Sequence, residues 1–103
     1  MTAGTGVETL GILVRYTMSR EAAEQLKERF ADMSARNESV SYLDCVLHDA
    51  ALDVLGLEQA YYGIPDDEWQ ETLRQRREAE RRYSSVKTID VTDTWREVLT
   101  AAE

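Results

Sequence analysis

An apolar segment without a single Lys or Arg constrains this 103-residue chain more than any other feature. Twelve of the eighteen residues from 40 to 57 are apolar, and one stripe recurs at spacings of three and four: Val40, Leu43, Leu47, Ala50, Val54 and Leu57. That spacing predicts a helix. The opposite side is also partly apolar, with Tyr42, Cys45 and Leu52. Because a small chain has little surface with which to cover such a helix, we expect a second copy to complete the core.

Composition and charge narrow the class of protein. The apolar content of 43% and the charged content of 31% suit a globular domain. No apolar run approaches the roughly 20 residues of a membrane span, and residues 1–9 lack the features of a signal peptide. We therefore expect a cytoplasmic protein without a membrane role. The net charge of −8 argues against indiscriminate binding to nucleic acid or anionic lipid.

The charge is unevenly distributed along the chain. Residues 37–73 contain nine acids and no Lys or Arg, and five arginines then follow within nine residues: Arg74, Arg76, Arg77, Arg81 and Arg82. Glu78 and Glu80 alternate with these arginines, so the run is either a solvated helix face or a contact for an anionic partner.

The first half of the chain predicts a strand followed by two helices. Residues 1–9 are predicted to be a flexible N-terminus, and residues 10–18 alternate as a strand does. Ser19 is a plausible N-cap for a helix that continues to Ala35. After a turn, Ser39 or Ser41 caps the apolar helix, and Ser41 with Asp44 forms a weak capping box. We assign residues 10–62 to a strand-helix-helix dimerisation domain.

Residues 63–103 are predicted to form a helix-strand-helix extension. Gly63 is placed as a helix-ending glycine, and Pro65 followed by three acids predicts the start of a third helix at about residue 66. Ser84 and Ser85 are predicted to end that helix, and residues 86–91 alternate as a short strand. A capping pair, Thr94 and Glu97, then opens a short terminal helix. The predicted fold class is mainly α with short β.

The order of elements from residue 10 to residue 57 resembles the ribbon-helix-helix family of DNA-binding dimers. The residues that carry the resemblance are 12–17 (ILVRYT), 19–26 (SREAAEQL) and 39–43 (SVSYL). The family fold implies that two β-ribbons pair antiparallel across a dimer axis and enter the major groove. The resemblance implies DNA contacts from Leu13, Arg15, Thr17, Ser39 and Ser41. It implies a dimer interface of Ile12, Val14, Val40, Leu43, Leu47, Ala50 and Val54.

Two functional hypotheses follow. In the first, the chain is a small transcriptional regulator or an antitoxin that binds operator DNA. Its third helix, with Trp69, Arg74, Arg77 and Arg81, and its strand 86–91 hold a protein partner, and the strand extends the sheet edge of that partner. The acidic balance favours a basic partner. In the second, it is an acidic interaction or oligomerisation subunit with no nucleic-acid role. Leu13 at an outward ribbon position and the acidic total favour the second.

Chemistry-bearing motifs are sparse. Cys45 and His48 are three residues apart on the apolar helix, a spacing that zinc sites use, but no second pair of ligands accompanies them. No phosphate-binding glycine loop, nucleophile elbow or catalytic dyad is visible. We therefore expect no cofactor, no metal site and no enzymatic activity.

Overall fold

The computed structural model describes residues 10–101, and the fold is mainly helical with one short sheet. The elements in chain order are β1 (Leu10–Thr17), α1 (Arg20–Ala35), α2 (Tyr42–Leu55), α3 (Glu58–Tyr62), α4 (Asp66–Glu80), β2 (Tyr83–Asp90) and α5 (Trp95–Ala101). The predicted flexible segment, residues 1–9, lies outside the described residues. Within residues 10–101, no helix combines the length and the apolarity that a membrane span requires.

Local capping determines where the helices begin and end. The Ser19 hydroxyl accepts a hydrogen bond from the Ala22 N–H at 3.1 Å, which confirms it as the cap of α1. Ser41 and Asp44 form the reciprocal capping box of α2, also as predicted. Gly56 and Gly63 end α2 and α3 with φ of 70° and 64°, a left-handed conformation that glycine adopts without strain.

The sheet contains two parallel strands, β1 and β2, in a register that joins Leu10 to Tyr83 and Thr17 to Asp90. The predicted second strand, residues 86–91, begins three residues earlier in the structure. Ser84 and Ser85 therefore lie inside β2 and do not end α4, which was a wrong prediction. Both serines are exposed, and Ser85 pairs with Ile12 of β1 although neither serine side chain gives an apolar signal. β2 thus pairs within its own chain.

The core lies where α1, α2 and α5 meet the carboxyl ends of the two strands. Its buried members are Met18, Ala22, Ala23, Leu26, Leu47, Ala51, Leu55, Val91, Trp95 and Leu99. Leu47, at the centre of the apolar stripe, has no exposed surface. The cover that we expected from a second copy is supplied at this residue by α1 and α5 of the same chain.

The sheet and α4 lie at the margin of this core. Ile12 is 60% exposed, Val14 is 45% exposed and none of the residues of α4 is buried. The Cα radius of gyration is 16.1 Å, compared with about 13 Å for a compact domain of 100 residues. The fold therefore presents elements that its own core leaves largely uncovered.

Candidate interaction surfaces

One edge of β1 has no strand partner among residues 10–101. The Leu10 N–H donates to the Arg82 carbonyl at 2.6 Å, so the backbone of Leu10 faces β2. Backbone polar groups alternate between the two edges of a strand. The Thr17 carbonyl also bonds to the β2 side, and because positions 10 and 17 differ in parity, the alternation is interrupted between them; the register gives Gly11 no partner. We call the edge of β1 that faces away from β2 the β1 edge.

The β1 edge lacks the residue types that usually keep sheet edges from pairing. Natural edges are usually protected by charges, above all Lys, by Pro or by bulges. Residues 10–17 contain no Lys, no Pro and no acid, and Arg15 is their one charged residue. β2 differs, because it carries Lys87 and Asp90 and is mostly polar. The β1 edge is thus the more suitable of the two for pairing with another strand.

The ribbon residues predicted to read DNA are engaged within the chain. Arg15 forms an ion pair with Glu80 of α4 at 2.6 Å, and Leu13 and Thr17 are half-buried. The Thr17 carbonyl accepts a hydrogen bond from the Val91 N–H at 2.9 Å. A guanidinium that already pairs with a carboxylate has to leave it before it can contact a base or a phosphate.

The start of α2, predicted to hold a phosphate, already carries a carboxylate. The Ser41 N–H and hydroxyl both donate to Asp44 Oδ2 at 2.9 Å, and Ser39 is exposed nearby. Arg29 of α1 donates to Asp44 Oδ1 at 2.6 Å. Burial alone would raise the pKa of the Asp44 carboxyl, but the Ser41 hydrogen bonds and Arg29 outweigh it and lower that pKa. Asp44 therefore occupies the position that a phosphate would take.

The seven predicted interface residues differ in how much of their surface is exposed to a second copy. Ile12, Val14 and Val40 are exposed. Leu43, Ala50 and Val54 are partly buried and pack against the core, and Leu47 is fully buried inside it. As the chain is folded here, the surface available to a second copy lies mainly on β1.

The residues predicted to contact a partner lie on α4 and at its C-terminus. Trp69 packs under the guanidinium of Arg76, whose carbon is 5.4 Å from the ring centre. Arg74 pairs with Glu71 and Glu78, and these carboxylates raise its pKa. Arg77 and Arg81 are exposed, and neither forms an ion pair with a described residue.

Glu58, the buried acid at the start of α3, was not predicted from the sequence to have a role. It is 6% exposed and accepts two hydrogen bonds from Arg76, each 2.9 Å long. Because a buried carboxylate requires a partner, this bidentate pair joins α4 to α3. The available signal was an acid directly after the last apolar residue of the segment, Leu57.

A cleft of about 460 Å³ lies between β1, α2 and α4. Its apolar lining comes from Val14, Val46, Ala50 and Leu73. The other lining residues are mostly charged and include both members of the Arg15–Glu80 and Arg76–Glu58 pairs. Asp49, Asp53 and Arg77 also line the cleft and form no ion pair with a described residue, so its lining carries charges of both signs.

Cys45 and His48 do not belong to a metal cluster among residues 10–101. The His48 ring stacks on Phe30, with centres 4.0 Å apart, and meets the edge of Tyr61 at 5.0 Å. Burial lowers the pKa of His48, and Lys27 adds to this effect while Asp49 opposes it. His48 is thus packed as part of an aromatic cluster.

Comparison with known proteins gives no match at any of three levels. No family model matches the chain, no curated protein matches it, and no solved structure matches its fold.

Proposed function

We propose that this protein is a homodimeric interaction module that joins two copies through the β1 edge and has no nucleic-acid role. The observation that carries the proposal is the edge of an apolar strand, without a strand partner among residues 10–101, on an otherwise acidic chain. Unpaired edges of this kind are templates for strand addition. Pairing would turn two short sheets into one sheet of four strands.

Apolar surface on β1 supports this pairing. Ile12 and Val14 form an exposed apolar pair on the strand, 60% and 45% exposed. Antiparallel pairing of two β1 strands across a two-fold axis brings the two pairs together, so both residues lose exposed apolar surface.

Electrostatics supports the same contact. A dimer carries −16, twice the charge of one chain, so acidic surfaces of two copies repel each other when they meet. β1 is a strand of eight residues without a carboxylate, and its single charge is positive. Two copies therefore meet with little local repulsion when β1 pairs with β1.

Operator binding and the antitoxin role stay predictions. The pairing of Arg15 with Glu80 and the presence of Asp44 at the start of α2 give them less support than strand pairing receives. A basic protein partner also stays a prediction, and the acidic run from residue 38 to residue 71 is the feature that favours one.

The test is the oligomeric state in solution, measured by light scattering coupled to size-exclusion chromatography. We expect the wild-type chain to be a dimer and Ile12→Lys to be a monomer, because lysine at the apolar pair opposes burial of this strand. Val86→Lys is the matched control: Val86 is also an exposed apolar strand residue, but it lies on β2 and on the other face of the sheet. A wild-type monomer at micromolar concentration, or equal loss of the dimer in both variants, would refute the proposal.

A further inference from the structure

Two helix faces, one on α2 and one on α4, line opposite sides of the cleft between these helices. Each face follows the spacing i, i+3, i+4, i+7, which places its residues on one side of a helix. Helices that pack through such faces lie about 8–10 Å apart and leave little space between their side chains. Here a cleft of about 460 Å³ separates the faces, which consist of Val46, Asp49, Ala50 and Asp53 on α2 and of Leu73, Arg76, Arg77 and Glu80 on α4.

The charges without an ion-pair partner on the two faces are opposite in sign. Asp49 and Asp53 on α2 form no ion pair with a described residue, and neither does Arg77 on α4. Arg76, beside Arg77, already interacts with both acids. The Glu58 carboxylate raises the pKa of Arg76, burial opposes this, and Asp53 and Asp49 raise it further. The acids of α2 therefore attract α4 across the cleft.

The middle of the cleft is apolar. Val46 and Ala50 of α2 and Leu73 of α4 are all partly exposed. Val14 of β1 also lines the cleft and is 45% exposed. Because apolar surface is more stable in contact with other apolar surface than in water, these residues favour contact between the two faces.

The attachments of α4 permit it to move towards α2. None of the residues of α4 is buried. Two ion pairs join it to other elements, Arg76 with Glu58 of α3 and Glu80 with Arg15 of β1, and both arginine side chains are 48% exposed, so solvent weakens these pairs. Residues 63–65 link α3 to α4, and a few residues at the end of an element are sufficient for a hinge.

We propose that α4 is a strap that closes onto α2 and fills the cleft. In the closed form, Leu73 packs against the apolar residues of α2, and Arg77 pairs with the acids of that helix. Closure also covers Val14, which reduces the apolar surface that β1 offers to a second copy. This last consequence rests on the proposed dimer, whereas closure itself does not.

Disulfide trapping tests whether the two faces meet. Leu73→Cys is combined with Ala50→Cys or, in a second protein, with Val46→Cys, both with Cys45→Ser so that each chain has two thiols. Ala50→Cys with Gln75→Cys is the matched control, because Gln75 is exposed, lies two positions from Leu73 and does not line the cleft.

The measured quantity is the rate at which the disulfide forms within one chain, followed by mass spectrometry of the monomer, so the result does not depend on dimerisation. A disulfide requires Cα atoms closer than about 7 Å. We expect at least one of the two cleft pairs to form it at least about tenfold faster than the control pair, since the control thiol lies on the opposite side of α4. Cleft pairs that react no faster than the control pair would overturn the proposal.

Removal of the two acids separates closure from the reactivity of the thiols. In the faster cleft pair, Asp49→Asn with Asp53→Asn should slow the reaction about twofold to fivefold, the contribution of a surface ion pair. Loss of nearby negative charge by itself lowers the pKa of a thiol and would speed the reaction. Glu24→Gln with Glu28→Gln removes the same charge from α1 and should change nothing. An equal or faster rate after removal of Asp49 and Asp53 would contradict closure, and circular dichroism establishes that each variant is folded.

Discussion

The carboxylate of Asp44 is the most informative single group to remove, because it joins α1 to the start of α2. Asp44→Ala eliminates half of the capping box, which contributes about 1 kcal/mol. It also eliminates the charged hydrogen bond from Arg29, worth roughly 1.5–3 kcal/mol when well shielded. The side chains of Asp44 and Arg29 are 9% and 32% exposed, so solvent weakens the second contribution. We expect a total loss of roughly 2–4 kcal/mol out of a typical 5–15 kcal/mol.

Urea unfolding followed by circular dichroism measures this loss, and pH separates its two parts. The folded-state pKa of Asp44 is lowered, so its contribution is present above the ordinary value of about 3.9 and disappears as the pH falls through the folded-state pKa. Asp44→Asn keeps an acceptor for Ser41 but loses the charge, and should show an intermediate loss at neutral pH and a weaker decline in acid. If Asp44→Ala changes the free energy of unfolding by less than about 0.5 kcal/mol, the size of a neutral surface substitution, the reasoning is wrong.

Two further predictions concern His48 and DNA. Because the pKa of His48 is lowered in the folded state, folding opposes its protonation, and the free energy of unfolding should decline as the pH falls below about 6.5. The His48→Gln variant should show a smaller decline between about pH 7 and pH 5. An identical pH profile for both proteins would contradict this. In a gel-shift assay at low salt with the DNA upstream of its own gene, we expect no retardation by the wild-type chain. Retardation that is lost in Arg15→Ala would restore the operator-binding hypothesis.

Local signals in the sequence predicted most element boundaries correctly. Ser19, Ser41 and Gly63 act as caps, as their positions indicated, and the alternation from Leu10 to Thr17 is a strand. Each of these depends on residues within a few positions of one another. Helix caps and strand alternation can be predicted from the sequence because they depend on interactions between residues close together in the chain.

Contacts between residues far apart in the sequence could not be predicted in the same way. β1 and β2 pair across 73 positions, and nothing in the exposed polar sequence of Ser84 and Ser85 identifies β1 as their partner. The complete burial of Leu47 depends on α1 and α5 folding back over α2, which periodicity alone does not reveal. The cleft between α1 and α5 likewise arises only when α5 lies against α1, so no sequence spacing predicts it.

The parallel pairing of β1 with β2 also determines when the chain can complete its fold. Its two strands come from opposite ends of the described chain, and Val91, Trp95 and Leu99 enter the core only after β2 has been made. During translation, α1 and α2 emerge from the ribosome before β2 and α5, whose residues complete the core. Contacts between residues so far apart in sequence form slowly. Among the described residues, a chain truncated before β2 offers β1 no strand partner at either edge. Quality-control proteases would therefore find unfinished chains easy to distinguish from complete ones.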